Sequence, residues 1–322
     1  MKHVTLRHFK QLLALDSHRH FSRAAESLSM SQPALSRSIQ SLERNLGTPL
    51  FDRSTRGLQA TPSGQLLIRH GRRILAATAE LQSEFDELLG QGESRLSIAC
   101  GHYPAEMSVP GVLSELMKDW PRAQVSMEVT DWIRIADLLE NGTCDLAITE
   151  LSAAEKAPGL ASELLNDRVL HMVVRNGHPL LSLDNPGLGD LLTYPWVCSH
   201  IPARVARLFG ADPVAAGNLD AKSGNFIPKI IASSLSTAFK LVKENDIIGV
   251  APTSLAWPHI QRSELSVVPF RAPWLRLNYG FMWQAHQPLS ALAQAFMALV
   301  RAAEVRMADE EQAIMASLQR LP

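Results

Sequence analysis

The spacing of apolar residues changes once along this 322-residue chain, near Arg95, and the change divides it between two kinds of architecture. Before that point apolar positions recur at helical intervals. Leu6, Phe9, Leu12, Leu13 and Leu15 share one face of a helix over residues 5–17. A short helix is expected from Ser22, read as its N-cap, with Ala24, Ala25 and Leu28 forming a small-residue packing face. Ser29-Met30 interrupts the pattern. Ser31 then reads as a fresh N-cap, with Pro33 in the first turn of a third helix that runs to about Asn45 and buries Leu35, Ile39 and Leu42. Two short helices joined by a tight turn, after a longer one, describe a helix-turn-helix. Gly47-Thr48-Pro49 stops the third helix. Leu50-Phe51 and Leu58-Gln59-Ala60 are expected to pair as a hairpin, or wing, around a basic tip, Arg53-Ser54-Thr55-Arg56-Gly57.

Thr61 reads as the N-cap of a long helix. Its positions Leu67, Gly71, Ile74, Thr78, Leu81, Phe85 and Leu88 advance by alternating steps of four and three, the spacing of a helix-pairing seam. Gly90-Gln91-Gly92-Glu93 ends it. Beyond Arg95 short apolar runs alternate with amphipathic stretches. Strands are expected at 96–100, 124–129 and 145–149 with helices over 105–119 and 133–141. A second set has strands at 169–174, 196–199 and 247–250 and a helix over about 226–243. Strands at 265–270 and 277–283 and a helix from about 288 close the chain. This is an α/β body, with mainly parallel pairing expected. One echo stands out: Cys100-Gly101-His102-Tyr103-Pro104 and Cys198-Ser199-His200-Ile201-Pro202 share the spacing Cys-x-His-x-Pro, each just after an expected strand. Ligands of open α/β sheets lie beyond the carboxyl ends of strands, so the two loops are expected to face one cleft.

The net charge of −1 conceals a segregation. Residues 1–75 hold 12 Lys and Arg against 4 Asp and Glu, a net of +8, and the remainder carries −9. A cationic module for a polyanion, attached to an acidic body, is the reading that fits. Three cysteines, Cys100, Cys144 and Cys198, without a CxxC pair suit a reducing compartment. Neither a signal peptide nor a membrane-spanning run is expected. No GxGxxG, Gly-x-Ser-x-Gly, P-loop or HExxH motif occurs, so no catalytic residue is nominated. The alternative, a solute-binding or ligand-converting α/β protein with no DNA role, leaves the +8 segment unexplained.

Phe21-Ser22-Arg23-Ala24-Ala25-Glu26-Ser27-Leu28, then Ser31-Gln32-Pro33-Ala34-Leu35-Ser36-Arg37-Ser38-Ile39-Gln40-Ser41-Leu42-Glu43, then Gly47-Thr48-Pro49-Leu50-Phe51-Asp52-Arg53 and Thr61-Pro62-Ser63-Gly64 closely resemble the LysR-type transcriptional regulators. Looser echoes are Gly142 to Ile148, Gly177-His178-Pro179-Leu180 and Ile247 to Pro252. The resemblance implies a bacterial, cytoplasmic and nucleoid-associated protein. Its expected parts are a winged helix-turn-helix over 1–60, a linker helix over 61–90 that forms a homodimer through 61–89, and an effector domain over 94–305 like a two-lobed periplasmic binding protein. Lobe I covers about 94–165 and 267–305, lobe II about 166–266, and 306–322 form a helical tail, either frayed or packing on another subunit. Double-stranded promoter DNA, a second dimer completing a homotetramer, and RNA polymerase are the implied partners. A small-molecule co-inducer between the lobes takes the place of a cofactor.

DNA-contacting candidates are Ser31, Gln32, Ser36, Arg37 and Ser38 on the recognition helix, Arg53 and Arg56 on the wing, and Thr61 at the next helix end. Effector candidates are Gly101, His102, Tyr103, Thr130 and Trp132 from one lobe and His200, Ile201, Asn225 and Phe226 from the other. Polar donors at strand ends suit a small organic anion, with Arg134, Arg204 and Lys222 as candidate sources of charge. The paired Cys-x-His loops raise zinc or redox chemistry, but the spacing is not that of zinc ligands, and no metal site is assigned.

Overall fold

The structure is a computed structural model that describes residues 4–54, 57–88, 94–209, 215–232 and 234–318. The chain packs as two compact units, one of residues 1–94 with 140–143 and one of 95–139 with 144–322.

The first unit contains α1 (Leu6–His18), α2 (Phe21–Ser27), α3 (Gln32–Leu46), a hairpin of β1 (Phe51–Ser54) and β2 (Gly57–Ala60), and α4 (Pro62–Leu88). Ser31 caps α3 as expected, its Oγ accepting from the Ala34 amide at 3.4 Å. α2 starts two residues earlier than expected: His20, not Ser22, is the N-cap, because the His20 Nδ1 accepts from the Ser22 amide at 3.2 Å. Leu12, Leu15, Leu35, Ile39 and Leu42 close an apolar core against Leu50, Leu67 and Ile68. One polar side chain lies inside it. The buried Gln11 accepts a hydrogen bond from Ser38 Oγ at 2.6 Å and points its amide at Met30 Sδ, 3.6 Å away. Glu43 accepts from the amides of Leu50 and Phe51 at 2.7 and 3.2 Å, fastening α3 to the wing.

Gly71 changes the reading of α4. A Cβ at this position would lie 2.5 Å from Phe9 Cδ1, so the Phe9 side chain of α1 packs directly on the α4 backbone here. Leu67 and Gly71 therefore serve this unit's own core. Among the other seam positions, Ile74, Leu81 and Phe85 face outward, 41%, 65% and 56% exposed. The Leu88 side chain lies outside the described residues.

The second unit is built on a mixed sheet in the order β4 (Gln124–Val129), β3 (Arg95–Cys100), β5 (Leu146–Glu150), β12 (Arg276–Gln284), β6 (Leu160–Arg175), β10 (Ile248–Pro252) and β7 (Trp196–Val197), with β11 (Leu265–Val267) also on β6. β8 (Gly217–Leu219) and β9 (Phe226–Pro228) form a separate hairpin. The helices are α5 (His102–Glu106), α6 (Val109–Asp119), α7 (Trp132–Glu140), α8 (Leu188–Leu191), α9 (Ala203–Ala206), α10 (Leu235–Glu244), α11 (Thr253–Gln261) and α12 (Ala291–Leu318).

Pairing is not mainly parallel. β3 runs parallel to β4 and β5, and β10 to β7, but β12 is antiparallel to both β5 and β6, and β10 and β11 are antiparallel to β6. The cause is the late strand β12, which returns from the far end of the chain and inserts between β5 and β6. β6 itself is one strand of 16 residues, paired with β12 up to Val169 and with β10 and β11 from Leu170 onward. Alternation along the strands separates the cores: Ile98 and Ile148 pack with Phe239, Phe281 and Phe296, whereas Ala99 and Ala147 pack with Ile135, Leu139 and Met282.

The expected helix over 226–243 is a strand followed by a helix. Phe226–Pro228 pairs with Gly217–Leu219, and α10 starts only at Leu235, capped by Ser234. At the end of the chain, α12 packs over the sheet. Arg168 is buried beneath it, donating from Nε to Tyr279 at 3.0 Å and pairing with both Glu304 and Glu311. Burial works against this guanidinium's charge, but Tyr279 and Glu304 outweigh it and hold its pKa above the ordinary value. With Met315 Sδ 3.7 Å from Thr253 Oγ1, residues 306–315 rest on their own chain.

Candidate functional site

The first turns of α3 present Ser31, Gln32 and Arg37 to solvent, with Ser36 half-buried beside them. Arg37 Nε rests on the Pro33 carbonyl at 3.3 Å, which leaves the other guanidinium nitrogens directed outward. Ser38 is different. Its hydroxyl is turned inward to the buried Gln11, so it supports the helix rather than its outer face. Thr61 is also committed: its hydroxyl donates to the Pro49 carbonyl at 2.7 Å and accepts from the Gly64 amide at 3.1 Å. The hydroxyl hydrogen that a phosphate would need is therefore already used. The Arg53 side chain and Arg56 lie outside the described residues.

The second unit holds a cleft of about 80 Å³ at the carboxyl ends of several strands. β3 leads into Gly101, His102 and Tyr103; β4 leads to Thr130 and Trp132; β5 ends in Thr149 and Glu150. From the facing side come residues 198–202 after β7, with Leu170 and Met172 of β6, Val250 of β10, and residues 274–277. The two Cys-x-His-x-Pro loops thus line one cleft.

Hydrogen bonds cross the cleft. Tyr103 donates to the Val250 carbonyl at 2.8 Å, and Trp132 Nε1 to the His200 carbonyl at 2.7 Å. His200 Nδ1 lies 2.7 Å from Asp131 Oδ2, which also accepts from the His200 amide at 3.2 Å. Burial acts to raise the Asp131 carboxyl, but the bonds from His200 prevail and hold it below the ordinary carboxylate range. Glu150 accepts from Arg204 at 2.9 Å and from the Ser152 amide at 2.8 Å.

Seven of the nine residues expected at the cleft line it: Gly101, His102, Tyr103, Thr130, Trp132, His200 and Ile201. Asn225 and Phe226 do not. Asn225 Oδ1 accepts from the Ala203 amide at 3.0 Å, and Phe226 is buried against Trp196 and Phe209 with ring centroids 5.6 and 5.1 Å away. Of the three candidate cations, Arg204 lines the cleft; Arg134 and Lys222 do not. Sequence reasoning missed Thr149 and Glu150, although they end the buried run Asp145-Leu146-Ala147-Ile148 and so stand at a strand's carboxyl end. The guanidinium groups of the cleft already have carboxylate partners. Arg204 is neutralised by Glu150, and Arg276, the other lining guanidinium, pairs with Asp167 at 2.5 Å. Desolvation by burial raises the thiol pKa of Cys100 and Cys198 above the ordinary value.

Residues 6–65 match the family model for the bacterial regulatory helix-turn-helix protein, lysR family, and residues 89–304 match the LysR substrate binding domain. The chain is 33% identical over 307 residues to the HTH-type transcriptional regulator GbpR of Azospirillum brasilense, covering 93% of this chain and 86% of that protein. It is 32% identical over 301 residues to the SDS degradation transcriptional activation protein of a Pseudomonas species, covering 92% and 95%. Its fold is similar to that of a full-length OxyR variant from Pseudomonas aeruginosa, with a TM-score of 0.63 at 21% identity over 94% of this chain and 96% of that one. Among the described residues no helix is long and apolar enough to cross a membrane. With a DNA-binding head and an effector-binding body matched in order along its length, the chain belongs to the LysR family of transcriptional regulators.

Proposed function

We propose that this regulator grips promoter DNA through Ser31, Gln32, Ser36 and Arg37 of α3, aided by the wing arginines Arg53 and Arg56, and that a small organic guest in the cleft modulates that grip. Two chains pair along α4, where Ile74, Leu81 and Phe85 supply the apolar contact, and two such dimers form a tetramer in the cytoplasm. The guest is bound without being converted. The observation that carries this reading is the coincidence of the +8 segment with an α3 face on which Ser31, Gln32 and Arg37 are exposed. The cross-cleft bonds of His200, Trp132 and Arg204 supply the lever: a guest that alters them alters how the effector-binding body closes.

Fluorescence anisotropy of labelled promoter duplex tests the DNA half. Affinity should fall by about 10³ between ~50 and ~200 mM salt if about six phosphates are engaged. Absence of duplex binding at the lower salt, with or without added small molecules, would overturn the proposal.

A further inference from the structure

We propose that the guest of this cleft is an uncharged molecule with an apolar body and a single hydrogen-bonding head, and that Thr149 and His102 hold the head. This rests on reading the cleft as the effector site. Three observations carry it.

The first is that the charges are already matched. Arg204 pairs with Glu150 and Arg276 with Asp167, and Asp131 already accepts from the His200 amide and lies 2.7 Å from His200 Nδ1. A carboxylate entering here must either separate Glu150 from Arg204 or lose its water without gaining a counter-charge, and both are costly in a confined site. The second is the character of the walls: Trp132, Val250, Trp274 and Leu277 offer apolar surface to a guest. The third is a pair of unsatisfied atoms. Thr149 Oγ1 and His102 Nδ1 are buried and bond to nothing, although Thr149 is fully enclosed. Buried polar atoms are almost always hydrogen-bonded, so two in one cleft mark where a partner belongs.

Both residues neighbour Gly101. A Cβ at that glycine would stand 3.2 Å from Thr149 Oγ1, and His102 is the next residue in the chain. A threonine hydroxyl both donates and accepts, and the imidazole nitrogen takes either role according to tautomer. The matching head therefore offers a donor and an acceptor together, as an amide or an alcohol does.

Two pairs of probes separate the alternatives: hexanamide with hexanoate, and octanamide with octanoate. Binding to the full-length protein at pH ~8 is read by the fluorescence of Trp132 and Trp274, with the carboxylates fully ionised. The amides should bind, each added CH₂ tightening binding about fourfold, equivalent to ~0.8 kcal/mol. The carboxylates should bind at least about tenfold more weakly. Thr149→Val should weaken octanamide about tenfold while preserving the chain-length increment. Gly101→Ala, checked for an unchanged melting temperature, should do the same by narrowing the head position.

Octanoate binding as tightly as octanamide would overturn the uncharged head while leaving the cleft as the binding site. Octanamide binding that neither variant weakens would overturn the placement of the head and the cleft reading together. No binding by any of the four probes would overturn the proposed class. Duplex anisotropy, measured without any probe, reports separately on the DNA half of the proposed function.

Discussion

The outer face of α3 and the wall of the cleft use polar side chains in opposite ways. On α3, Gln32 and Arg37 extend into solvent with donors available, over a core in which a buried amide and an inward serine secure the helix. In the cleft, Asp131, Glu150, Trp132, His200 and Arg204 are bonded to one another or to facing backbone. The first arrangement meets a partner of dense, fixed charge without rearranging anything but water. The second admits a guest by shape, and any guest that demands charge must first undo a bond. Long-range attraction therefore governs one site and complementarity of surface the other.

The contrast can be broken most severely at Leu35, which is fully buried on the inner face of α3. Leu35→Ala should cost about 2–5 kcal/mol of stability. Denaturant titration should show the head unfolding early and duplex binding disappearing with it; a parental unfolding curve would mean that α3 is not seated as described. Ser38→Ala strands the buried Gln11 oxygen and should cost about 1–3 kcal/mol of stability, with little change in DNA affinity per folded molecule. Lower DNA affinity at parental stability would move Ser38 back to the outer face. Arg37→Ala should give the complementary result, a loss of about 1–3 kcal/mol in duplex binding with unchanged unfolding and unchanged octanamide affinity.

The smallest effect is expected at Asp131. Replacing it with Asn should cost about 1 kcal/mol at neutral pH. Because the carboxyl is held below its ordinary range in the folded chain, its contribution is complete above the unfolded pKa of about 4 and is lost as pH falls through the folded value. Urea midpoints of parent and variant should thus differ at pH ~7 and converge toward pH ~3. A gap that stays constant would show that the ionised carboxylate is not what binds His200.

The first unit was legible in the sequence because its signals are local. A serine before Gln32-Pro33, a glycine after Leu46 and three-four spacing of leucines identify helices without reference to distant residues. The cleft was half legible for the same reason: loops that follow strands were identifiable, and the repeated Cys-x-His-x-Pro located two of them. Partnership between distant strands was not. Nothing within Leu160–Arg168 shows that it continues the apolar run after it, since its residues come in apolar and polar blocks, Leu-Ala, Ser-Glu, Leu-Leu and Asn-Asp-Arg, with neither the alternation of a half-buried strand nor a continuous apolar run. Asn225 and Phe226 were misplaced because an apolar stretch near Pro228 read as a helix start when it is a short strand covering an aromatic core. The commitment of Ser38 and Thr61 depended on Gln11 and Pro49, contacts that no periodicity encodes.

The unbroken course of β6 has one more consequence. Met172 and Val174 face one core and Val173 another, while the same strand, ten residues earlier, is already keyed to β12. A one-residue deletion anywhere between Leu160 and Val169 would invert every side chain downstream unless a bulge absorbed it, and one irregularity, opposite Tyr279 and Gly280, is already in use. Evolution can lengthen or shorten this strand comfortably only in twos, so it keeps the phase of both halves of the sheet on a single thread.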